Sequence, residues 1–348
     1  WLRDVEPVQY RHVRHVLLPK DYVRFRLTGE LATDVSDASG TLLYDLRRRD
    51  WSRQILAALE IPLEWMPAVS ESGEVSGRLS AAVADELGLP PGVPVAAGCG
   101  DRIATAIAAG IVQSGLISSS IGSSGVLFAY TEQPLVDPSG RLQAACHAIP
   151  QRFGLLALTR WAGESLRWWR DILGGSLSYE QLATLGSSAP PGAEGLFFIP
   201  GPRGAFAGLR THHSKAHLTR AVMEGVVFSL RQGLDGMRHL GLAPERVRAT
   251  GAAASSPLWR QLQADIFNLP VERPVIDDAA YGAALLAGVA AGSFDSVPGA
   301  TECLRLRAGA SEPDDERVKR YASAFSTFRN LYPALQELRL SRPSASRA

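Results

Sequence analysis

Two short segments of the sequence combine residue types that could transfer a phosphoryl group. The first ends in Gly100-Asp101 and follows the apolar run 93–97, which predicts a buried strand. Because open α/β sheets bind ligands beyond the carboxyl ends of their strands, Asp101 would lie where a general base can act. The alternative is a structural role, since aspartate is favoured in Gly-rich turns by its bonds to nearby backbone.

The second segment is a Gly-Ser-Ser-Gly turn, residues 122–125, set between the apolar runs 116–121 and 126–130. Its glycines allow positive φ angles and a close approach of backbone N–H groups to an anion. An ordinary hairpin is the alternative, and no Gly-Lys-Ser/Thr of a Walker A motif follows. The combination of this turn with Asp101, rather than either alone, indicates phosphoryl transfer.

A third element has the form of a strand, a turn of small residues and a helix, at 247–250, 251–256 and 257–267. Ser256 is a good N-cap and Pro257 suits the first helical position. Free amides and the positive end of the helix dipole would then face a nucleotide, although a plain strand-to-helix connection has the same pattern. The small and apolar stretch 279–292 predicts a helix packed against a sheet or the nucleotide.

The elements that must position these segments predict an α/β fold. Residues 1–26 are rich in helix signals, short strands follow to residue 46, and strands alternate with helices from residue 93 onward. A length of 348 residues predicts two domains, which we place at 1–92 and 93–340, with a polar tail at 341–348.

Composition narrows the class of protein. A net charge of +1 argues against a dedicated nucleic-acid or anionic-membrane surface. The three cysteines are odd in number and lack zinc-type spacing, which favours a reducing cytoplasm. His212, His213 and His217 lie on a polar stretch without neighbouring Cys or carboxylates, so we predict loop histidines and no metal ligands.

Several blocks, taken in order, resemble the FGGY family of carbohydrate kinases and, within it, most closely the xylulokinases. The resemblance runs from about residue 17 to the last long helix. The blocks that carry it are Leu18-Pro19-Lys20-Asp21-Tyr22, Leu27-Thr28-Gly29-Glu30, Thr33-Asp34-Val35-Ser36-Asp37-Ala38-Ser39-Gly40-Thr41-Leu42, 98–101, 122–125, Ser256-Pro257-Leu258-Trp259-Arg260-Gln261 and Tyr281-Gly282-Ala283-Ala284-Leu285-Leu286-Ala287.

The resemblance implies an actin-like, ribonuclease-H-like kinase fold with a partial first domain and a complete second one. It implies that ATP, with Mg²⁺, phosphorylates a sugar, D-xylulose to D-xylulose 5-phosphate. Asp101 would accept the proton of the attacking hydroxyl, and Asp101 and Arg102 would contact the sugar. The implied nucleotide-binding residues are Gly122, Ser123, Ser124, Gly125, Gly251, Ala252, Ala253 and Ser256.

The sequence also departs from the family pattern. Nothing in it resembles the family's opening Asp-Gly-Thr loop, so we expect an amino-terminally truncated chain whose activity alone is doubtful. The segment after Pro200 is shorter than the family's, Ala252 and Ala253 replace glycines and disfavour positive φ, and Arg102 replaces glutamine.

Three hypotheses remain open from the sequence. The first is a xylulokinase-like enzyme. The second is a kinase for another ketose or polyol such as ribulose, gluconate or glycerol, which Arg102 leaves open. The third is a non-catalytic remnant that binds nucleotide or serves as a subunit surface. The partners implied are a sugar and ATP, without nucleic acid or membrane, and a homodimer is one alternative for the oligomeric state.

Overall fold

A computed structural model of the protein describes residues 1–202 and 204–337. The predicted tail 341–348, the predicted domain end at residue 340 and Arg203 lie outside the described residues. Within the described ranges, no helix is both long and apolar enough to cross a membrane.

Many of the helices follow a Ser or Asp cap, such as Ser80, Ser178 and Ser256, and some end at Gly or Asn, such as Gly88 and Asn268. Their bounds are α1 Leu2–Val5, α2 Pro7–Arg11, α3 Pro19–Thr28, α4 Val35–Ser39, α5 Arg53–Ala58, α6 Ala81–Leu87, α7 Asp101–Ala108, α8 Gly163–Ile172, α9 Tyr179–Ser187, α10 Lys215–His239, α11 Pro257–Phe267, α12 Ala279–Ala290, α13 Val297–Thr301 and α14 Asp315–Glu337.

The five longest strands all belong to the main sheet, and the others have four residues or fewer. Their bounds are β1 Ala32–Asp34, β2 Tyr44–Asp45, β3 Asp50–Trp51, β4 Ala68–Ser70, β5 Val75–Arg78, β6 Pro94–Ala96, β7 Leu116–Ile121, β8 Gly125–Thr131, β9 Leu142–Cys146, β10 Phe153–Thr159, β11 Phe197–Ile199, β12 Ala205–Ala207, β13 Arg246–Thr250 and β14 Val271–Glu272.

The main sheet has six strands in the order β14-β13-β7-β8-β10-β9, and β13 and β14 are parallel. Two-stranded pairs complete the described sheets: β1 with β4 in parallel, and β2 with β3, β5 with β6 and β11 with β12 in antiparallel. Strands and helices therefore alternate as predicted, and the α/β class is confirmed.

The chain folds into two compact units. Unit 1 comprises Trp1–Leu116, Phe128–Leu156 and Pro274–Arg305, and unit 2 comprises the described residues of Ile117–Leu127, of Ala157–Arg273 and of the chain from Leu306 to Glu337. The predicted domain boundary at residue 92/93 stays a prediction.

Each unit has an apolar core of its own. In unit 1, Val35, Ala38 and Trp51 belong to a buried cluster with Leu56 and Phe153. In unit 2, the middle of α10 is buried, and its buried apolar side chains include Met223, Val227, Leu230, Leu234 and Met237.

One expectation about the strand before Asp101 is wrong. This strand, β6, is only three residues long, partly buried and paired antiparallel with β5, so Asp101 does not lie at the edge of a parallel sheet. The small-residue helix α12 contacts β6 of that sheet, as predicted, and packs mainly against α7. A Cβ on Gly282 of α12 would overlap the carbonyl oxygen of Ala104, so glycine is required for this contact.

Candidate active site

Asp101 is the first residue of α7 and its side chain is exposed. The chain reaches it through a turn in which Gly98 has a φ of 84°, a conformation that favours glycine. Its Oδ1 atom accepts a hydrogen bond from the backbone N–H of Arg102 at 2.8 Å. The Arg102 side chain is exposed as well. The first two residues of α7 therefore present an accessible carboxylate and an accessible guanidinium.

A buried ionic group lies under the Asp101 segment in unit 1. The Lys20 ammonium is 2.6 Å from Asp21 Oδ1 and 3.1 Å from Asp34 Oδ1, and neither carboxylate is exposed. Burial by itself lowers the pKa of Lys20, but the charges of Asp34 and Asp21 outweigh burial and raise it above its ordinary value. Lys20 is thus a permanent cation within this group.

Asp37 is the carboxylate of this group that reaches solvent, with a side-chain exposure of 29%. Its Oδ2 atom is 3.9 Å from Lys20 Nζ, and a Cβ on Gly100 would lie 3.1 Å from its Oδ1. Burial raises the pKa of Asp37, the charges of Asp34, Asp21 and Asp101 add to the rise, and Lys20 opposes it. Asp37 and Asp101 are therefore neighbours, which sequence spacing did not reveal.

The predicted nucleotide-binding turns meet in unit 2. A cavity of about 920 Å³ is lined by Gly122 and Ser123 from one turn and by Ala252, Ala253 and Ser256 from the other. Ser124, Gly125 and Gly251 belong to the same two turns but are not among the described residues that line the cavity. Residues separated by some 130 positions in sequence thus form one concave surface, large enough for a nucleotide.

The two glycines of the 122–125 turn have different roles. Neither Gly122 nor Gly125 has a positive φ, so the turn does not use the conformational freedom that its glycines allow. Gly125 is required by packing, because a Cβ there would lie 2.8 Å from Thr159 Cγ2 and 3.0 Å from Leu230 Cδ2. An added Cβ on Gly122 would meet nothing nearer than Ser124 O at 3.9 Å. Gly122 is therefore open to approach by a ligand.

In the second turn, Gly251 has a positive φ of 76° and lies close to Ser120. Ala252 and Ala253 belong to a 3₁₀ turn and have no positive φ, so the expected backbone penalty of these alanines is absent. Ser256 caps α11 as predicted, its side chain accepting a hydrogen bond from Trp259 N at 3.5 Å.

The start of α8 completes the cavity and was missed from the sequence. The amides of Gly163 and Glu164 donate to the carbonyl oxygens of Gly122 at 2.9 Å and Ser123 at 3.1 Å. A Cβ on Gly163 would overlap the Gly122 carbonyl. Tyr179 of α9 lines the cavity too. The local sequence offers only the pair Gly163-Glu164 as a signal. Its partners, Gly122 and Ser123, are distant along the chain, so no local pattern predicts the contact.

Three histidines gather around Glu194 in unit 2. His212 Nε2 lies 2.9 Å from Glu194 Oε2, so the expectation of no neighbouring carboxylate is wrong. Glu194, His212 and His213 offer ligand atoms within 4.8 Å of one another. However, His213 Nδ1 accepts a hydrogen bond from Arg210 N at 3.0 Å. The neutral ring then carries its proton on Nε2 and offers no lone pair to a metal in this arrangement. The predicted absence of a metal at these histidines stays a prediction.

The short segment after Pro200 connects two strands. Ile199 at the end of β11 pairs with Ala205 at the start of β12 in an antiparallel hairpin. The described residues of this hairpin are not among those that line the 920 Å³ cavity. Its predicted effect on nucleotide binding stays a prediction.

The carboxylates of unit 1 fit a hard divalent cation that arrives with a phosphate ligand. Asp37 and Asp101 offer oxygen atoms that reach solvent, whereas Asp21 and Asp34 already pair with Lys20. Mg²⁺ is commonly held by one or two carboxylates together with phosphate oxygens and water. Asp37 and Asp101 are thus candidates for contact with such an ion.

Comparison with known proteins matches both parts of the chain to one family. Residues 1–108 match the model of the FGGY family of carbohydrate kinases, N-terminal domain, and residues 117–291 match that of the C-terminal domain. The chain is 37% identical over 352 residues to the xylulose kinase of Escherichia coli K12, covering 97% of this chain and 72% of the relative.

Solved structures agree with this result. A ligand-bound xylulose kinase from Lactobacillus acidophilus superimposes with a TM-score of 0.91 at 25% identity, over 97% of this chain and 71% of that one. A gluconate kinase from the same organism gives a TM-score of 0.91 at 25% identity, over 96% and 70%. The expected actin-like kinase fold is confirmed.

Proposed function

Since this chain belongs to the FGGY family of carbohydrate kinases, we propose that it transfers the γ-phosphoryl group of ATP to D-xylulose and forms D-xylulose 5-phosphate. The xylulose kinases of similar sequence support the choice of sugar. The single observation that carries the chemistry is Asp101, an exposed carboxylate at the first position of a helix whose preceding backbone is held by a buried ionic group.

Asp101 is proposed as the general base. It would accept the proton of the terminal sugar hydroxyl as that oxygen attacks the γ-phosphorus, which needs a base within hydrogen-bond reach of the hydroxyl. Phosphoryl transfer otherwise depends on positioning and on charge stabilisation. The exposure of Asp101 supports this role, because a buried structural aspartate could not reach a substrate.

The cavity of unit 2 is proposed as the site for ATP. Its lining by two turns of small residues, around Gly122 and Ala252, allows close approach of backbone to phosphate, and the apolar side chains of Leu166 and Leu258 suit an adenine ring. Mg²⁺ is proposed as the cation, with Asp37 and Asp101 as candidate contacts. When bound, it would neutralise phosphate charge during transfer.

A second acceptor class is favoured by Arg102. Its exposed guanidinium follows the proposed base directly and could pair with a carboxylate of the acceptor. A sugar acid such as gluconate therefore stands as the second candidate, in keeping with the gluconate kinase of similar structure.

The proposal extends to the cellular compartment and the oligomeric state of the enzyme. The free thiols Cys99, Cys146 and Cys303 support a reducing cytoplasm. A homodimer stays a prediction, which the mass measured by light scattering in solution tests.

The test is an ADP-release assay with ATP and Mg²⁺ against D-xylulose, ribulose, gluconate and glycerol. It is run on this 348-residue chain. We expect the highest kcat/KM with D-xylulose. A higher value with gluconate would select the second candidate. Binding of ATP without turnover of any sugar would instead support the non-catalytic hypothesis.

A further inference from the structure

Asp34 is a fully buried carboxylate with an unusually complete set of donors. Its Oδ2 atom accepts hydrogen bonds from Ser36 N at 2.8 Å, from Ser36 Oγ at 2.6 Å and from Ser72 Oγ at 2.8 Å. Its Oδ1 atom lies 3.1 Å from Lys20 Nζ and accepts from Asp37 N at 3.4 Å. A carboxylate with this many donors is held in one orientation.

Three of these donor residues also hold the backbone that leads to Asp101. The Lys20 ammonium donates to Ala97 O at 3.2 Å. The carbonyl oxygen of Ser72 accepts from Gly98 N at 3.0 Å. The hydroxyl oxygen of Ser36 accepts from Gly100 N at 3.1 Å while its own proton goes to Asp34.

We propose that Ser36, oriented by its hydrogen bond to Asp34, is a positioning residue for the base, because it fixes the Gly100 amide immediately before Asp101. This inference rests on the proposed function, in which Asp101 is the base. The Asp101 carboxylate is exposed, and it accepts a hydrogen bond from the adjacent Arg102 amide. Its place is therefore set by the backbone of residues 97–100, and the last residue of that backbone, Gly100, is held through Ser36.

The role matters because phosphoryl transfer depends on geometry. A displacement of about 1 Å at a reacting group can lower the rate by about 100-fold. Two glycines, Gly98 and Gly100, precede Asp101, and glycine is the residue with the greatest backbone freedom. External hydrogen bonds are needed to hold such a segment in one conformation.

The chain offers a matched pair of variants. Ser36→Ala and Ser72→Ala each remove one buried hydroxyl that donates to the same Asp34 oxygen. Only Ser36→Ala also removes a link to the Asp101 segment, because Ser72 holds Gly98 through its backbone carbonyl. The two variants should lose similar thermal stability, which circular dichroism measures.

The first readout is hydrogen–deuterium exchange in the 348-residue chain, which needs no turnover. In Ser36→Ala we expect the Gly100 amide to exchange at least about tenfold faster, with little change in Ser72→Ala. Equal exchange at Gly100 in both variants and the wild type would overturn the proposal.

The second readout is kinetic. Ser36→Ala should lower kcat for the sugar by about 10- to 100-fold while the KM values for sugar and ATP change little, and Ser72→Ala should retain most of the kcat. Equal losses of kcat in both variants would overturn the positioning role. If the proposed function itself is wrong, the result is different, because Asp101→Asn then stays active.

Discussion

Gly282 of α12 lies directly against Ala104 of α7, and a Cβ atom on Gly282 would overlap the Ala104 carbonyl oxygen. The two helices can approach this closely only because position 282 has no side chain. Since α7 begins with Asp101, the contact also determines where the proposed base lies within unit 1.

Replacing Gly282 by alanine should therefore affect both folding and catalysis. Forcing the helices apart is expected to lower the free energy of unfolding by about 1–3 kcal/mol and to lower kcat by displacing α7. Urea unfolding and the ADP-release assay measure the two effects. Ala283→Ser, at an exposed position of the same helix, is the control. A fully stable Gly282→Ala protein would contradict the close contact.

Asp101→Asn should remove the base while keeping the shape of the site. We expect kcat with the sugar to fall by at least about 100-fold, because general-base catalysis contributes roughly that much. The affinity for ATP, measured by calorimetry, should be nearly unchanged, since the proposed ATP cavity lies in unit 2. Turnover close to that of the wild type would exclude Asp101 as the base.

Gly122→Ala separates folding from ligand binding. The added methyl group meets nothing nearer than 3.9 Å and the backbone φ is not positive, so the melting temperature should stay unchanged. If phosphate approaches this turn, the methyl group should weaken ATP binding about tenfold. Unchanged affinity for ATP would show that its phosphates do not bind next to Gly122.

Gly163→Ala is the matched variant that should damage the turn itself. Its new Cβ would overlap the Gly122 carbonyl, so both thermal stability and ATP affinity should fall. A Gly163→Ala protein that melts and binds ATP like the wild type would contradict the contact between α8 and the turn.

His147 predicts acid sensitivity of unit 1. Complete burial lowers the pKa of His147 to about 4, below the ordinary value of 6.5. The neutral ring donates from Nε2 to Ile111 O at 3.1 Å and accepts from Ile149 N at Nδ1 at 3.1 Å. Because the folded state resists protonation of His147, the contribution of the neutral ring to the free energy of unfolding is complete above pH 6.5. That contribution is lost as the pH falls towards 4, by about 1.4 kcal/mol per pH unit.

The variant His147→Gln keeps a donor and an acceptor but does not titrate. Its free energy of unfolding should depend less on pH between 6.5 and 4 than that of the wild type, as measured by urea unfolding at each pH. His15→Gln, at an exposed position, should leave the slope unchanged. The same slope in all three proteins would rule out His147 as the cause.

Arg102→Gln tests the acceptor class. If the guanidinium pairs with an acidic acceptor, kcat/KM for gluconate should fall by about tenfold and that for D-xylulose should change by less than about threefold. Equal changes for both acceptors in the ADP-release assay would remove Arg102 as a determinant of acceptor charge.

Local order was well predicted from the sequence. The bounds of β7 and α11, and the cap at Ser256, follow from apolar runs and capping residues that act over a few positions. The structure also brings Gly122 and Ala252, from the two predicted nucleotide-binding turns, to one cavity, and the binding of ATP there stays a prediction.

The sequence by itself determined the family, the α/β class and the candidate residues, because these depend on short motifs in order. Only the tertiary structure decided why Gly163 and Gly282 must be glycines, which carboxylate lies beside Asp101, and how Asp34 reaches the Asp101 segment. Such relationships join residues many tens of positions apart. Close packing and buried hydrogen bonds create them, and no local pattern records which distant backbone a side chain will meet.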